Sequence, residues 1–188
     1  MEHKITVPCA AADLAALRAG DTVLLSGMVY TARDQAHIRM TQALDAGEKL
    51  PFPIEGSAIY YVGPTPEQPG QIIGAAGPTT SCRMDGFSPR LLRLGNRVMI
   101  GKGERGEEVK QAAAETGSVY LAALGGAGAL MARCIQSVET VAWEDLGCEA
   151  VRKLRVENMP LTVILDAHGG DLYRQGPANY LRGNEDKI

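Results

Sequence analysis

The sequence of 188 residues contains no run of lysine or arginine, and its 19 basic against 22 acidic residues give a net charge of -3. A nucleic-acid binder neutralises phosphates with a basic surface, so the charge balance argues against that class. Any anionic ligand has to be held by a few local cations. No secretory leader is readable at the start, where MEHKITVPCAAADL mixes acid and base and has no continuous apolar core. The longest apolar stretch, residues 119–132, contains three glycines and is too short to cross a bilayer. A soluble cytoplasmic protein with no membrane partner is the simplest expectation. Paired cysteines are missing too: Cys9, Cys82, Cys134 and Cys148 lie far apart with no CxxC. Spacing therefore gives neither a zinc knuckle nor a local iron–sulfur ligand set. The four read as free thiols in a reducing compartment, with Cys82 a small filler. His3, His37 and His168 show no metal-ligand spacing, and the absence of a GxxxxGK[ST] loop removes P-loop phosphoryl chemistry.

The sequence does contain apolar residues, at 45%, enough to bury a core as one domain over residues 1–188. Strands are predicted at 4–7, 22–30, 57–62, 97–100, 119–124, 138–142 and 161–165, with 71–75 also extended. The central glycine of TVLLSGMVY predicts a bulge or a close backbone approach. Helices are predicted at 12–18, 88–94, 107–115, 127–133 and 149–155, and after Arg33, where Ala36, Met40, Ala43 and Leu44 share one face and Gly47 stops the run. GPTPEQPG, residues 63–70, reads as a surface loop over an active site or a subunit contact. The tail after Gly176 reads as loose. Short helices alternating irregularly with strands imply a mixed α/β fold with a layered sheet.

Three short motifs carry candidate chemistry. GKGERG, residues 101–106, satisfies G-x-G-x-x-G between a strand and a helix. A dinucleotide site also needs an acidic residue about 20 positions on, and the following strand, SVYLAALGG, carries none. A glycine-rich turn that lets Lys102 approach a ligand is the preferred reading, with the dinucleotide site as an alternative. SGMVYTARD places Arg33 at the end of an apolar strand, either as a ligand-binding cation or as a junction cap paired with Asp34. His37, four residues on, can face the same side of the helix start, although a lone histidine is more often structural. In GPTTSCRMD, residues 77–85, Gly77-Pro78 fixes a turn, Thr79, Thr80 and Ser81 supply hydroxyls, and Arg83 follows within a turn. Such a helix start plus a guanidinium forms either a structural cap or a cradle for carboxylate or phosphate. Arg33, Arg83 and Lys102 are three cations at strand ends, and together they point to an anion site.

These residues also resemble a known family. SGMVYTARDQAH, YYVGPTPEQPGQIIGAAGPTTSCRMD, MIGKG, VAWEDLG and VILDAHGGDLY make the chain similar to the β subunit, equivalent to the C-terminal domain, of the class I iron–sulfur fumarases and L-tartrate dehydratases, over about residues 5–173. The resemblance implies a swivelling β/β/α domain. It implies a hydro-lyase that converts fumarate to L-malate, or dehydrates a close relative, using a [4Fe-4S] cluster held on a separate α subunit, with this chain binding no metal. An α2β2 assembly, inactive without α, is expected. Carried over by motif, Arg33, Thr79, Arg83 and Lys102 line the dicarboxylate pocket, with Thr79, Arg83 and Lys102 in catalytic roles and Asp34 and His37 behind them. RMD and the segment leading into it favour fumarate over tartrate or methylfumarate (mesaconate). An alcohol is a poor base unless something takes its proton, so Thr79 is expected either to transfer a proton or to orient a carboxylate. The alternative from a different class is a non-catalytic dicarboxylate-binding domain that kept the cations.

Overall fold

The computed structural model describes residues 1–124 and 126–185. Seven strands form one sheet: β1 (Glu2–Val7), β2 (Thr22–Thr31), β3 (Ala58–Tyr60), β4 (Val98–Gly101), β5 (Val119–Ala122), β6 (Ile135–Ala142) and β7 (Val151–Leu165). Strands β1 to β5 pair in chain order and run parallel. The long β7 is antiparallel to both β5 and β2, so the pairings close a ring β2–β3–β4–β5–β7. β6 lies against β7 outside it. The helices are α1 (Ala11–Leu14), α2 (Asp34–Asp45), α3 (Ser88–Arg93), α4 (Glu107–Thr116), α5 (Gly128–Arg133) and α6 (Leu172–Glu185). The expected mixed α/β architecture with short helices is present.

Parallel strands covered on both faces read as continuous apolar runs whose alternate side chains enter different layers. Ala58, Tyr60, Val98, Ile100, Val119 and Leu121 pack with Val23, Leu25, Leu154 and Val163 of β2 and β7. Their neighbours Ile59, Met99 and Tyr120 pack instead with Met40 of α2, Leu92 of α3 and Val109 and Ala112 of α4. Sequence and packing agree at Gly27 as well. The register against β7 shifts between Leu25 and Gly27, and a Cβ at Gly27 would lie 2.0 Å from the Val7 carbonyl oxygen. Both the bulge and the close approach are therefore real.

Three expectations need correction. Residues 149–155 are not helical: a 3-10 segment, Glu144–Glu149, hands over to β7 at Val151. Val151, Leu154 and Val156 are buried there, and this stretch is bonded to β2 on one side and β6 on the other. Tertiary pairing overrides a local pattern that also suits a helix. Residues 71–75 form no strand but close the base of the 63–70 loop, with the Thr65 N–H donating to the Ala75 carbonyl at 3.1 Å. The segment after Gly176 continues α6 to Glu185. Gly176-Pro177 is a stop signal in the sequence, yet the helix runs through it with Tyr180 and Leu181 exposed.

Candidate active site

The site begins at the carboxyl ends of the parallel strands, the usual ligand-facing edge of such sheets. Thr31, Tyr60, Ile100 and Leu121 are in register across β2, β3, β4 and β5. Two positions further along each chain lie Arg33, Val62, Lys102 and Ala123. The sheet register thus brings Arg33 and Lys102 to one level, with the end of β3 between them.

Arg33 is the extended N-cap residue of α2. Its carbonyl accepts hydrogen bonds from the His37 backbone N–H at 2.9 Å and from the His37 ring Nδ1 at 2.8 Å. His37 is fully buried against the rings of Tyr61 and Phe87. Burial pushes its pKa down to about 4, so the imidazole is neutral and carries its proton on Nδ1 to satisfy the carbonyl. His37 fixes the Arg33 backbone and lies beneath the site. The Arg33 guanidinium is 3.4 Å from Glu149 and 3.9 Å from Asp34. A Cβ at Gly63 would sit 2.5 Å from Arg33 Nη1, so the first glycine of GPTPEQPG is the space that admits this side chain.

The 77–85 segment runs across the end of β3. The Thr79 N–H donates to the Tyr61 carbonyl at 2.8 Å, and Thr80 bridges to Lys102. The chain then turns through a 3-10 segment, Ser81–Met84. Arg83 Nε donates to Asp34 Oδ1 at 2.8 Å, while its side chain remains half exposed. Taking up Nε leaves the terminal Nη pair as an end-on fork for an incoming carboxylate. Asp34 therefore links Arg33 and Arg83, and its Oδ2 is buried without a hydrogen-bond partner.

Lys102 is exposed and forms no ion pair among the described residues, and its backbone is tightly anchored. Its N–H donates to Ser81 Oγ at 3.0 Å and its carbonyl accepts from the Ser81 N–H at 2.9 Å. The glycine of β4 explains part of GKGERG: a Cβ at Gly101 would lie 1.9 Å from Ser81 Oγ. That close approach is met by a serine of this chain, which leaves the dinucleotide reading without need of a pyrophosphate. The Tyr120 hydroxyl lies 2.9 Å from both Ser81 Oγ and the Gly103 carbonyl oxygen.

Sequence reasoning missed Arg105 and Asp85. Arg105 is buried, with Nε donating to Asp85 Oδ1 at 2.6 Å and Nη2 to Ser88 Oγ at 2.8 Å. Its guanidinium carbon stands 5.2 Å from the Tyr61 ring centre and 5.1 Å from that of Tyr120. In a polar, glycine-rich hexapeptide nothing marks one charge as buried. The only sequence signal is that RMD and GKGERG each hold a charged residue shortly after a site cation. Asp85 points at Arg105 and Gly106, so the RMD motif reads the second loop rather than a ligand.

Arg33 and Arg83 face two nearby carboxylates, Asp34 and Glu149, while Lys102 pairs with none among the described residues, and the excess positive charge suits a small polyanion. Thr79 is partly buried, and its hydroxyl has no carboxylate, imidazole or amine partner among the described residues. Cys9, Cys82, Cys134 and Cys148 are free, Cys82 being exposed rather than a packed filler, and no three His, Cys, Asp or Glu side chains converge into a metal-binding group among the described residues. The described residues thus bring together no cysteine set of the kind that holds an iron–sulfur cluster. A cavity of about 640 Å³ lies between loop 65–75 and α5 and contains none of the site cations. No described helix is long and apolar enough to cross a membrane.

The mixed α/β domain thus places Arg33 and Lys102 just beyond the carboxyl ends of parallel strands, with Arg83 in the neighbouring 3-10 segment. The chain belongs to the fumarase C-terminus family, whose pattern matches residues 2–176. It is 39% identical over 169 residues to a protein of Methanocaldococcus jannaschii provisionally named L(+)-tartrate dehydratase subunit beta, covering 87% of each chain. It is 37% identical over 153 residues to the aerobic class I fumarate hydratase of Escherichia coli K12, covering 80% of this chain and 28% of that enzyme. Fumarate hydratase 1 of Leishmania major, a mitochondrial protein, is 39% identical over the same share of each. The chain thus spans little more than a quarter of the fumarate hydratases and most of the tartrate dehydratase subunit.

Proposed function

We propose that this chain is the β subunit of a cytoplasmic hydro-lyase that reversibly hydrates fumarate to L-malate, at an active site completed by a cluster-bearing α subunit in an α2β2 assembly. One observation supports the reading: in a chain of this family, Arg33 and Arg83 are linked through Asp34, and the Lys102 backbone is fastened to Ser81, two residues before Arg83. A dianion needs a local concentration of positive charge in a protein whose net charge is -3. Arg83 offers an end-on fork to one carboxylate, and Lys102 offers a mobile point charge. In the dehydration direction a weakly acidic proton leaves from the carbon beside a carboxylate, and these cations stand where the enolate-like charge would develop. Thr79 orients that carboxylate. Its hydroxyl has no proton acceptor among the described residues, which supports assigning the base to the α subunit. The [4Fe-4S] cluster is likewise assigned to α, and no step is derived through it on this chain.

The test is co-expression with an anaerobically reconstituted α subunit, following the loss of fumarate's ultraviolet absorbance. Activity should need both chains and fall about 100- to 1,000-fold in Arg83→Ala and Lys102→Ala, the usual loss for one charge-stabilising donor. Full activity in either variant refutes the site. A second reading, L-tartrate dehydration, is favoured by the 87% mutual coverage with the tartrate dehydratase subunit. Because Asp85 faces Arg105 rather than the open face, the RMD motif does not itself select fumarate. L-tartrate and mesaconate therefore belong in the same assay. Dicarboxylate binding without turnover of any of the three would mark a non-catalytic binding domain.

A further inference from the structure

The side chain of Arg105 is wholly excluded from solvent although it comes from a hydrophilic turn. Burying a charge is costly, and an apolar side chain of similar volume fills such a space with equal or better stability. The guanidinium here is satisfied from several sides: Asp85 Oδ1 at 2.6 Å, Ser88 Oγ at 2.8 Å, Met99 Sδ at 3.3 Å and the Tyr61 hydroxyl at 3.5 Å. Asp85 spends its other oxygen on the Gly106 N–H at 2.6 Å. The segment bearing Arg83 and the loop bearing Lys102 are therefore fastened twice. Thr80 and Ser81 hold Lys102 at one end, and Asp85 holds Arg105 and Gly106 at the other. Arg83 lies between the two fastenings.

We propose that Arg105 is a positioning residue, which through Asp85 sets the separation of Arg83 and Lys102 and so the dicarboxylate that the site accepts. The proposal rests on the dicarboxylate reading given above. Neither Arg105 nor Asp85 touches substrate. The pair acts as a spacer whose length matters, because a displacement of about 1 Å at a reacting centre can cost 100-fold in rate. Asp85→Glu keeps the charge and lengthens the spacer by one methylene. Arg105→Lys keeps the charge and loses the fork that reaches Asp85 and Ser88 together.

Two measurements test it. In the complete complex with the α subunit, both variants should lower kcat/KM per active site for fumarate about 10- to 100-fold, with KM raised at least about fivefold. In the full β chain, amide exchange at Ser81 and Lys102 should quicken about tenfold relative to the β4 amides. A role confined to stability would lower Tm and the active fraction while leaving KM, and kcat per active site, unchanged, and that result overturns the proposal. If Arg105→Lys fails to fold, Asp85→Glu decides by the same criteria. Should the wild-type complex act on no dicarboxylate, the function falls separately. Exchange still judges the spacer, and unchanged protection at Ser81 and Lys102 in both variants overturns it.

Discussion

Placing a single methyl group at Gly101 probes the join between the two cation-bearing segments. The new Cβ of Gly101→Ala would lie 1.9 Å from Ser81 Oγ and 2.9 Å from Tyr61 Cδ2. Ser81 and Tyr61 are both buried, so neither can swing into solvent. Overpacking of this kind costs about 1–3 kcal/mol. If Ser81 Oγ is driven off, the Lys102 N–H loses its acceptor, for about another 1–3 kcal/mol. The sum, about 2–6 kcal/mol, corresponds to a Tm lower by about 4–24 °C for a chain of this length. Ser81→Ala alone forfeits the hydrogen bond. It also removes the atom that clashes, leaving Ser81 Cβ at 3.3 Å. The double variant should then be less unstable than the two single losses added together, by about 1–3 kcal/mol, read by urea denaturation of all four proteins. Losses that add within about 0.5 kcal/mol, or a Gly101→Ala protein as stable as wild type, refute the account of why the motif begins with glycine.

Two further predictions concern pH. His37 is buried neutral with its pKa depressed to about 4, so the unfolded chain binds the extra proton. Stability should be intact above about pH 6.5 and fall by about 3 kcal/mol as the pH drops towards 4. In denaturant titrations His37→Gln, which can still donate to the Arg33 carbonyl, should lose that slope, and an unchanged slope counts against it. Asp166 accepts N–H bonds from Ala19, His168 and Gly170 at 2.9, 2.9 and 2.8 Å. Burial opposes its charge, but these donors outweigh burial and lower its pKa. Its contribution is therefore present above the unfolded pKa of about 4 and lost as pH falls through the lower folded value. Asp166→Asn should cost about 1–3 kcal/mol at pH 7 and less in acid. An equal loss at pH 7 and in strong acid would show that the carboxylate's charge is not what organises the DAHGGD turn.

Much of the scaffold could be read directly from the residues, because apolar runs such as RVMI and SVYLA must become strands buried on both faces. The glycine in TVLLSGMVY signalled its bulge for the same local reason. β7 escaped because its first half satisfies helix and strand patterns alike, and only pairing with two distant strands decides between them. At the site, Arg33 and Lys102 were legible by their places at strand ends, whereas Arg83 follows no strand and sits in a 3-10 segment. The partners that hold the cations were not legible. Asp34 adjoins Arg33 in the chain yet bonds Arg83, 49 residues away. Arg105 looks like one more surface charge until the rings of Tyr61 and Tyr120 are seen around it. His37 was placed near Arg33 correctly, while the direction of its ring, down into the core rather than out towards a ligand, required coordinates.

The closed circuit of β2, β3, β4, β5 and β7 constrains how such a protein can change. An open sheet can let an outer strand slide and so carry a site residue with it. A circuit has no outer strand, and sliding any member would break pairing with both neighbours. The levels of Arg33 and Lys102 are consequently inherited with the architecture. A descendant that takes a longer or shorter diacid must alter the side chains and turns beyond the strand ends, which leaves the segments at 63–85 and 102–106 as the region open to innovation.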